Sequence, residues 1–336
     1  MKIIKKNIKL LIGIIIGILI SGSAVIAETI IEANHIKYSN SKTEKTNVQD
    51  AIDELYELSE NLKNNNFASL ILKNNKVINK EPTLTTSSNN TSDESGLYKS
   101  TNTNSGTTYY FRGNVENNYV NFAGFTWRIV RINEDGTIRI VMQDGINNNA
   151  NIAFNSNYNN YIYTYYTNSQ AKTQLESWYQ TNIGSKSNLV KNVASGNYYC
   201  EQAKVKLNSN ISSGNANMII YSSYTPNFKC TADGNNKGLV NASVGLLTYD
   251  EVVYAGGYYG KSNSNYYLYN SNFYWWTMSP NGFSNPYSTI WYIHTTGEIY
   301  VNNVNNPIVL RPVLILKVDT KLSSGDGTKI NPYVLS

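Results

Sequence analysis

The sequence predicts an α+β fold, a twisted antiparallel sheet with two short helices, preceded by a signal or anchor helix and a short amphipathic helix. Three observations predict it. Short runs rich in aromatic and β-branched residues recur beyond residue 97, bounded by Gly, Asn, Ser or Asp. Within that stretch only two segments, behind Ser169 and behind Thr248, combine a capping residue with helical spacing. The most continuous apolar run lies apart, at the N-terminus, behind a cluster of lysines. No internal repeat with a period of about twenty to fifty residues is visible, which argues against a solenoid or propeller.

The N-terminus reads as an export signal. Lys2, Lys5, Lys6 and Lys9 precede an apolar run over 10–20, the breaker Ser21-Gly22-Ser23, and the small residues Val25 and Ala27. That order predicts cleavage after Ala27. The alternative is an uncleaved membrane anchor, because about 18 largely apolar residues over 10–27 are just enough to span a bilayer. The first cysteine is Cys200, so no lipidation site lies near Ala27. Residues 329–336 carry neither an apolar tail nor a basic end, so membrane contact is expected only through residues 1–27. Much of the net charge of +5 belongs to that signal, and nothing in its distribution points to nucleic acid. The expected location is secreted or cell-surface. In such an oxidising compartment, Cys200 and Cys230 are most simply a disulfide.

Residues 28–64 read as a tether with an amphipathic helix over 47–63. Behind the cap Thr46, the residues Val48, Ile52, Leu55, Leu58 and Leu62 fall at helical spacing. The stripe over 48–62 suits either self-association into a homo-oligomer or packing on the main domain. Residues 65–107 read as a polar linker with one apolar patch, Leu70-Ile71-Leu72. The domain proper is expected over 108–336. It opens with strands over 108–112, 119–122 and 125–132, and Asn133-Glu134-Asp135-Gly136 turns the last of these into 137–142. A helix over 170–183 presents Leu175, Trp178, Tyr179 and Ile183 on one side. A second begins at Thr248, capped with Glu251, and ends at Gly256-Gly257. Later strands cover 273–278, 290–294, 298–301 and a long run over 308–318.

Several of these segments carry a resemblance. Tyr110-Phe111-Arg112-Gly113, the run 122–132, Val244-Gly245-Leu246-Leu247-Thr248-Tyr249-Asp250-Glu251 and Trp276-Thr277-Met278-Ser279-Pro280 occur in that order. Leu310-Arg311-Pro312-Val313-Leu314, Gly325-Asp326-Gly327-Thr328 and Asn331-Pro332-Tyr333 follow. Together they resemble a domain family of unknown function from exported proteins of gram-positive gut bacteria. That family is distantly similar to the C-type-lectin-like fold shared with the formylglycine-generating enzyme, so the resemblance implies a C-type-lectin-like scaffold over about 95–336. It does not carry the enzyme's chemistry across, because that enzyme uses a cysteine pair near its C-terminal end and no cysteine follows Cys230 here. Nor does it imply a calcium sugar site. Calcium-dependent lectins use Glu-Pro-Asn or Gln-Pro-Asp with a later Trp-Asn-Asp, and this chain has Ser279-Pro280-Asn281 and no Trp-Asn-Asp.

The chemistry the residues themselves offer is thin. His35 and His294 are the only histidines, too few for a metal cluster, and no Gly-x-Ser-x-Gly elbow is present. Asp250 and Glu251 read as helix-cap carboxylates. Arg311, inside an apolar run, must find a partner, and a structural ion pair is the preferred reading. No cofactor, metal or catalytic residue is expected. The best functional candidate is the Tyr-, Asn- and Trp-rich stretch 258–306, a composition that suits recognition surfaces. Trp276, Asn285, Tyr287, Trp291, Tyr292 and Asn302 are the expected ligand-binding residues. Strand alternation turns one of Trp275 and Trp276 inward and sends Trp291 with Ile293 toward the core. The expected function is an adhesin-like, non-catalytic module that recognises a glycan or a host or bacterial surface protein. A structural, self-associating surface protein is the alternative. Intact-mass measurement of the exported protein should give a chain beginning at Glu28 if the signal is cleaved, and the full chain if it is an anchor.

Overall fold

The computed structural model describes residues 48–50, 52–53, 66–82, 84, 93–201, 215–216, 226–230, 238–284 and 286–336. The chain divides into two units, Met1–Leu62 and Lys63–Ser336. Ala27 and nearly all of the amphipathic segment 47–63 lie outside the described residues, and the account below concerns the second unit. Among the described residues no helix is long and apolar enough to cross a membrane.

In chain order the elements are α1 (Phe67–Asn74), β1 (Val77–Ile78), β2 (Gly96–Ser100), β3 (Thr108–Arg112), β4 (Tyr119–Phe122), β5 (Phe125–Ile132), β6 (Ile138–Met142) and β7 (Asn151–Ala153). Then come α2 (Gln170–Tyr179), β8 (Val193–Ala194), β9 (Gly196–Cys200), β10 (Asn215–Ala216), β11 (Leu239–Ala242), α3 (Tyr249–Ala255) and β12 (Tyr258–Tyr259). The rest are β13 (Trp275–Ser284), β14 (Tyr287–Ile293), β15 (Glu298–Asn303), β16 (Pro307–Val309), β17 (Val313–Leu316), β18 (Leu322–Ser324) and β19 (Tyr333–Leu335). The fold is α+β, mostly sheet with a few short helices.

Where one antiparallel sheet is expected, the strands form two large mixed sheets. The first runs β1-β2-β3-β5-β4-β19-β18, with β6 joining β5 to β17 and β17 to β8. The second runs β12-β15-β14-β13-β16-β7, with β10 beside β13. Parallel pairs arise where distant segments are inserted, as β19 beside β4, β12 beside β15 and β16 beside β13. The run over 308–318 splits between the sheets: Pro307–Val309 serves the second and Val313–Leu316 the first. Pro312 sits at the crossing, where the missing amide hydrogen leaves no ladder bond unmade.

The local signals work as physical chemistry requires. Asn133 N–H donates to Thr137 O, and Gly136 takes φ +81°, closing the β5–β6 hairpin. Ser169 Oγ accepts from Lys172 N at 3.0 Å and starts α2, which continues as a wider turn over Gln180–Gly184. Trp178 of α2 packs against Phe125 and Trp127 of the first sheet, with ring centroids 5.2 and 6.3 Å away. Thr248 and Glu251 form a reciprocal capping box at α3. At the other end of that helix Arg112 Nη1 donates to the carbonyls of Val253 and Tyr254 at 2.8 and 2.9 Å.

Within the expected linker 65–107, residues 66–78 and 96–100 hold elements that pack into the domain. Asn66 Oδ1 accepts from Ser69 N at 2.8 Å and caps α1, which buries Phe67, Ala68 and Ile71. Phe67 lies edge-on to Tyr333 of β19 at 5.0 Å, and β2 buries Leu97 and Tyr98 in the first sheet. An eight-residue helix shows only two apolar turns in sequence, so its asparagine-rich flanks mask it; burial against the terminal strand supplies what propensity does not.

Cys200 and Cys230 form a disulfide with 5.5 Å between Cα atoms. Closing this loop contributes about 3 to 4 kcal/mol on the chain-entropy account. One continuous apolar core runs through both sheets. It also holds phenols, and Tyr110 lies in a smaller cluster with Tyr98, Phe228 and Tyr254: burial pushes Tyr110, Tyr166, Tyr199, Tyr249, Tyr266 and Tyr267 up from their ordinary range.

These phenols keep their protons in the fold at a pH where the unfolded chain releases them. Their contribution is therefore complete below about pH 10 and is lost as pH rises beyond it. The buried guanidinium groups work in the opposite sense, because burial lowers Arg128, Arg131 and Arg311, the last to about 10. With many phenols against three guanidinium groups, the domain should unfold cooperatively above about pH 10, with tyrosinate absorbance rising in step with the loss of circular dichroism. Tyrosines that titrate independently while the fold persists would contradict this.

Candidate functional site: a tyrosine terrace

The most exposed aromatic surface lies on the second sheet, where β14 runs antiparallel between β13 and β15. Register places Trp276, Tyr292 and Tyr300 in one row across the three strands. The row is sealed at one end and open at the other. Trp276 is fully buried: its Nε1 donates to Ile152 O at 3.1 Å and its ring meets Phe154 edge-on at 5.9 Å. Tyr292 is 9 % exposed and Tyr300 49 %.

Tyr274, just ahead of β13, is 41 % exposed and flanks Tyr292 on the side away from Tyr300. Its centroid is 6.0 Å from that of Tyr292 at 75°, and Tyr300 stands 6.2 Å from Tyr292 at 86°. Two upright rings thus flank a lower one. His294 completes the terrace 4.7 Å from Tyr274, and its Nδ1 accepts from the backbone N–H of Thr296 at 3.1 Å, a bond that requires an unprotonated Nδ1. Burial pushes the Tyr292 phenol up to about 12, with Tyr274, Tyr300 and Glu298 adding to the shift. Tyr292 and Tyr300 project from regular strands and Tyr274 and His294 adjoin strand ends, so the surface is held by the sheet.

The expected site residues fall into three groups. Trp276 and Trp291 are not available to a ligand: both are buried, one under residues 152–154 and the other against Tyr249. Trp291, 1 % exposed, packs between Tyr249 at 5.0 Å and Tyr259 at 5.1 Å. Trp275, expected to alternate with Trp276, is buried too, under the guanidinium of Arg311 at 4.7 Å. Asn302 is half-buried, and its Oδ1 accepts from Asn303 N and Asn306 Nδ2, so it braces the β15–β16 turn. Tyr292 forms the floor of the terrace. Tyr287, 47 % exposed, belongs to a second exposed pair, stacked on Tyr158 at 5.7 Å and 16°. Asn285 lies outside the described residues. Tyr274, Tyr300 and His294 were not anticipated. The signal for Tyr300 was the alternation Glu298, Tyr300, Asn302 behind the Thr295-Thr296-Gly297 turn, which puts that residue on the side of β15 shared with polar neighbours.

A second polar feature lies beneath the disulfide. Arg131, Arg139, Tyr198, Phe228, Lys229 and Glu251 line a cleft of about 40 Å³. Glu251 is 3 % exposed; its Oε1 takes Arg139 Nε at 2.6 Å and Arg131 Nε at 3.3 Å, and its Oε2 takes Thr248 N at 2.9 Å. With both oxygens engaged, this carboxylate is placed to hold structure. Arg311, expected in an ion pair, instead donates to the carbonyls of Met142 and Leu268 at 3.1 and 3.0 Å and lies over Trp275. Carbonyl oxygens and an indole face replace the carboxylate. Among the described residues no group of three or more His, Cys, Asp or Glu side chains could hold a metal ion.

In comparison with known proteins, the chain matches no family model, no curated protein and no solved structure.

Trp276→Ala should destabilise the domain by about 3 to 5 kcal/mol, because it empties a packed site and frees the Ile152 carbonyl. Tyr300→Ala should change stability by about 1 kcal/mol or less. Denaturant unfolding of both variants checks the assignment of one ring to the core and the other to the surface; equal losses would contradict it.

Proposed function

We propose that this domain is a non-catalytic binding module, presented outside the cell, that recognises a glycan or a surface protein through Tyr274, Tyr292 and Tyr300. The single observation that carries this reading is the contrast within one row of aromatics: Trp276 is buried and capped, while Tyr274 and Tyr300 stand open on either side of Tyr292. A fold that needed these rings only for packing would cover them, as it covers all of the neighbouring tryptophans. Tyrosine suits recognition because it offers a large amphipathic contact area at low cost in side-chain entropy.

The scaffold behind this reading is the C-type-lectin-like fold implied by the sequence resemblance, with the terrace on its C-terminal sheet. The disulfide supports an oxidising compartment and hence export. The full engagement of Glu251 supports contact without bond making or breaking, since the best-buried carboxylate near a cleft is already committed to two arginines and a helix cap.

Arrays of glycans and of host and bacterial surface proteins, probed with the full chain, should capture it. The double variant Tyr274→Ala/Tyr300→Ala should lose at least about tenfold in capture while keeping its unfolding midpoint, as expected where a few aromatic anchors dominate a contact. Unchanged capture by the folded double variant would discard this surface.

A further inference from the structure

We propose that the group seated on the tyrosine terrace is an organic cation, an alkylated ammonium carried by the partner. This rests on the binding reading above and specifies its ligand chemistry.

Three features of the surface converge on it. The first is geometry: Tyr274 and Tyr300 rise at 75° and 86° to Tyr292, with centroids about 6 Å from it on opposite sides. Walls at that spacing offer ring surface on more than one side of a compact group, whereas a flat stacking partner is served by a single open face. Ring faces carry negative quadrupole charge and attract a cation within about 6 Å of the centroid.

The second is charge. Glu298 follows the turn and shares the face of β15 that carries Tyr300, and its carboxylate raises the Tyr292 phenol. It forms no ion pair among the described residues, where each of the five pairs involves other groups. A neutral ligand leaves that carboxylate beside the Tyr292 phenol; a cationic one neutralises it.

The third is how this molecule treats ring faces elsewhere. Tyr119, Tyr267, Phe228, Tyr199 and Trp275 each lie under a guanidinium of the chain itself, supplied by Arg128, Arg131, Arg139 or Arg311. Among the described residues no cation of the chain lies over Tyr274, Tyr292 or Tyr300. The terrace therefore has the ring faces and the carboxylate of a cation site, and the cation is left to the partner. Alkyl groups on the nitrogen favour this setting, because they contact the ring walls and lower the loss of hydration on binding.

Choline is the probe, titrated into the full chain at constant ionic strength and followed by the shift of its methyl proton resonance. Its uncharged isostere 3,3-dimethyl-1-butanol is titrated in parallel. Choline should bind saturably in the millimolar range and at least about tenfold more tightly than the isostere, as cation–π attraction requires. Glu298→Gln should weaken choline binding about three- to tenfold, and Tyr300→Ala should abolish it. Equal binding of the two probes, indifference to Glu298→Gln, or no saturable choline response each overturns the cation assignment. If choline fails while array capture still depends on Tyr274 and Tyr300, the binding surface stands and only its ligand class is wrong. If capture is independent of both tyrosines, the binding reading itself fails.

Discussion

One buried carboxylate sets the relation between the helix and the sheets. Glu251, in the first turn of α3, meets Arg131 of β5 and Arg139 of β6. Taking three charges out of water is costly, and only a close arrangement with every lone pair used offsets it. That requirement leaves α3 little freedom to slide on the first sheet. Arg112 holds the helix at its other end through two carbonyls. From α3 the constraint passes to the second sheet, since Tyr249 N donates to Ser279 Oγ and Met278 N to Leu247 O. The position of β13, and so of Tyr274 at its head, is tied in this way to the ion cluster at the start of α3.

All five arginines of the chain serve the interior in this way. Arg112, Arg128, Arg139 and Arg311 are at most 4 % exposed, and Arg131 is nearly covered. Each donates to carbonyls, amides or a carboxylate, and four of them lie over an aromatic ring. The ammonium of lysine is a compact, strongly hydrated charge that cannot reproduce this geometry. The division of labour is strict: guanidinium groups join strands to loops inside the domain, and solubility is left to lysines and amides.

Local signals were the legible part. The β5–β6 turn, the Ser169 cap and the Thr248–Glu251 capping box act within a few residues, and each is found where the pattern put it. The disulfide was readable from compartment and cysteine count. What failed were statements about which face of a strand is covered. The composition of 258–306 suits recognition and drew Trp276 and Trp291 into the expected site, although alternation already sent Trp291 toward the core; Ile152, more than a hundred residues away, closes over Trp276, and Tyr249 of α3 meets Trp291. Alternation along a strand says that two side chains point oppositely; it does not say what lies beyond either face. The same limit hid α1, whose burial depends on Tyr333.

The insertion of β19 beside β4, with Phe67 leaning on Tyr333 and Asn74 Nδ2 reaching its hydroxyl at 3.2 Å, bears on biogenesis. The first sheet lacks an interior strand until residues 333–335 have emerged from the ribosome, so an early, stable closed domain cannot form on the nascent chain. Contacts separated by most of the sequence also close slowly. A polypeptide that lacks this strand until residues 333–335 are made therefore reaches its closed form late, through contacts that span the domain.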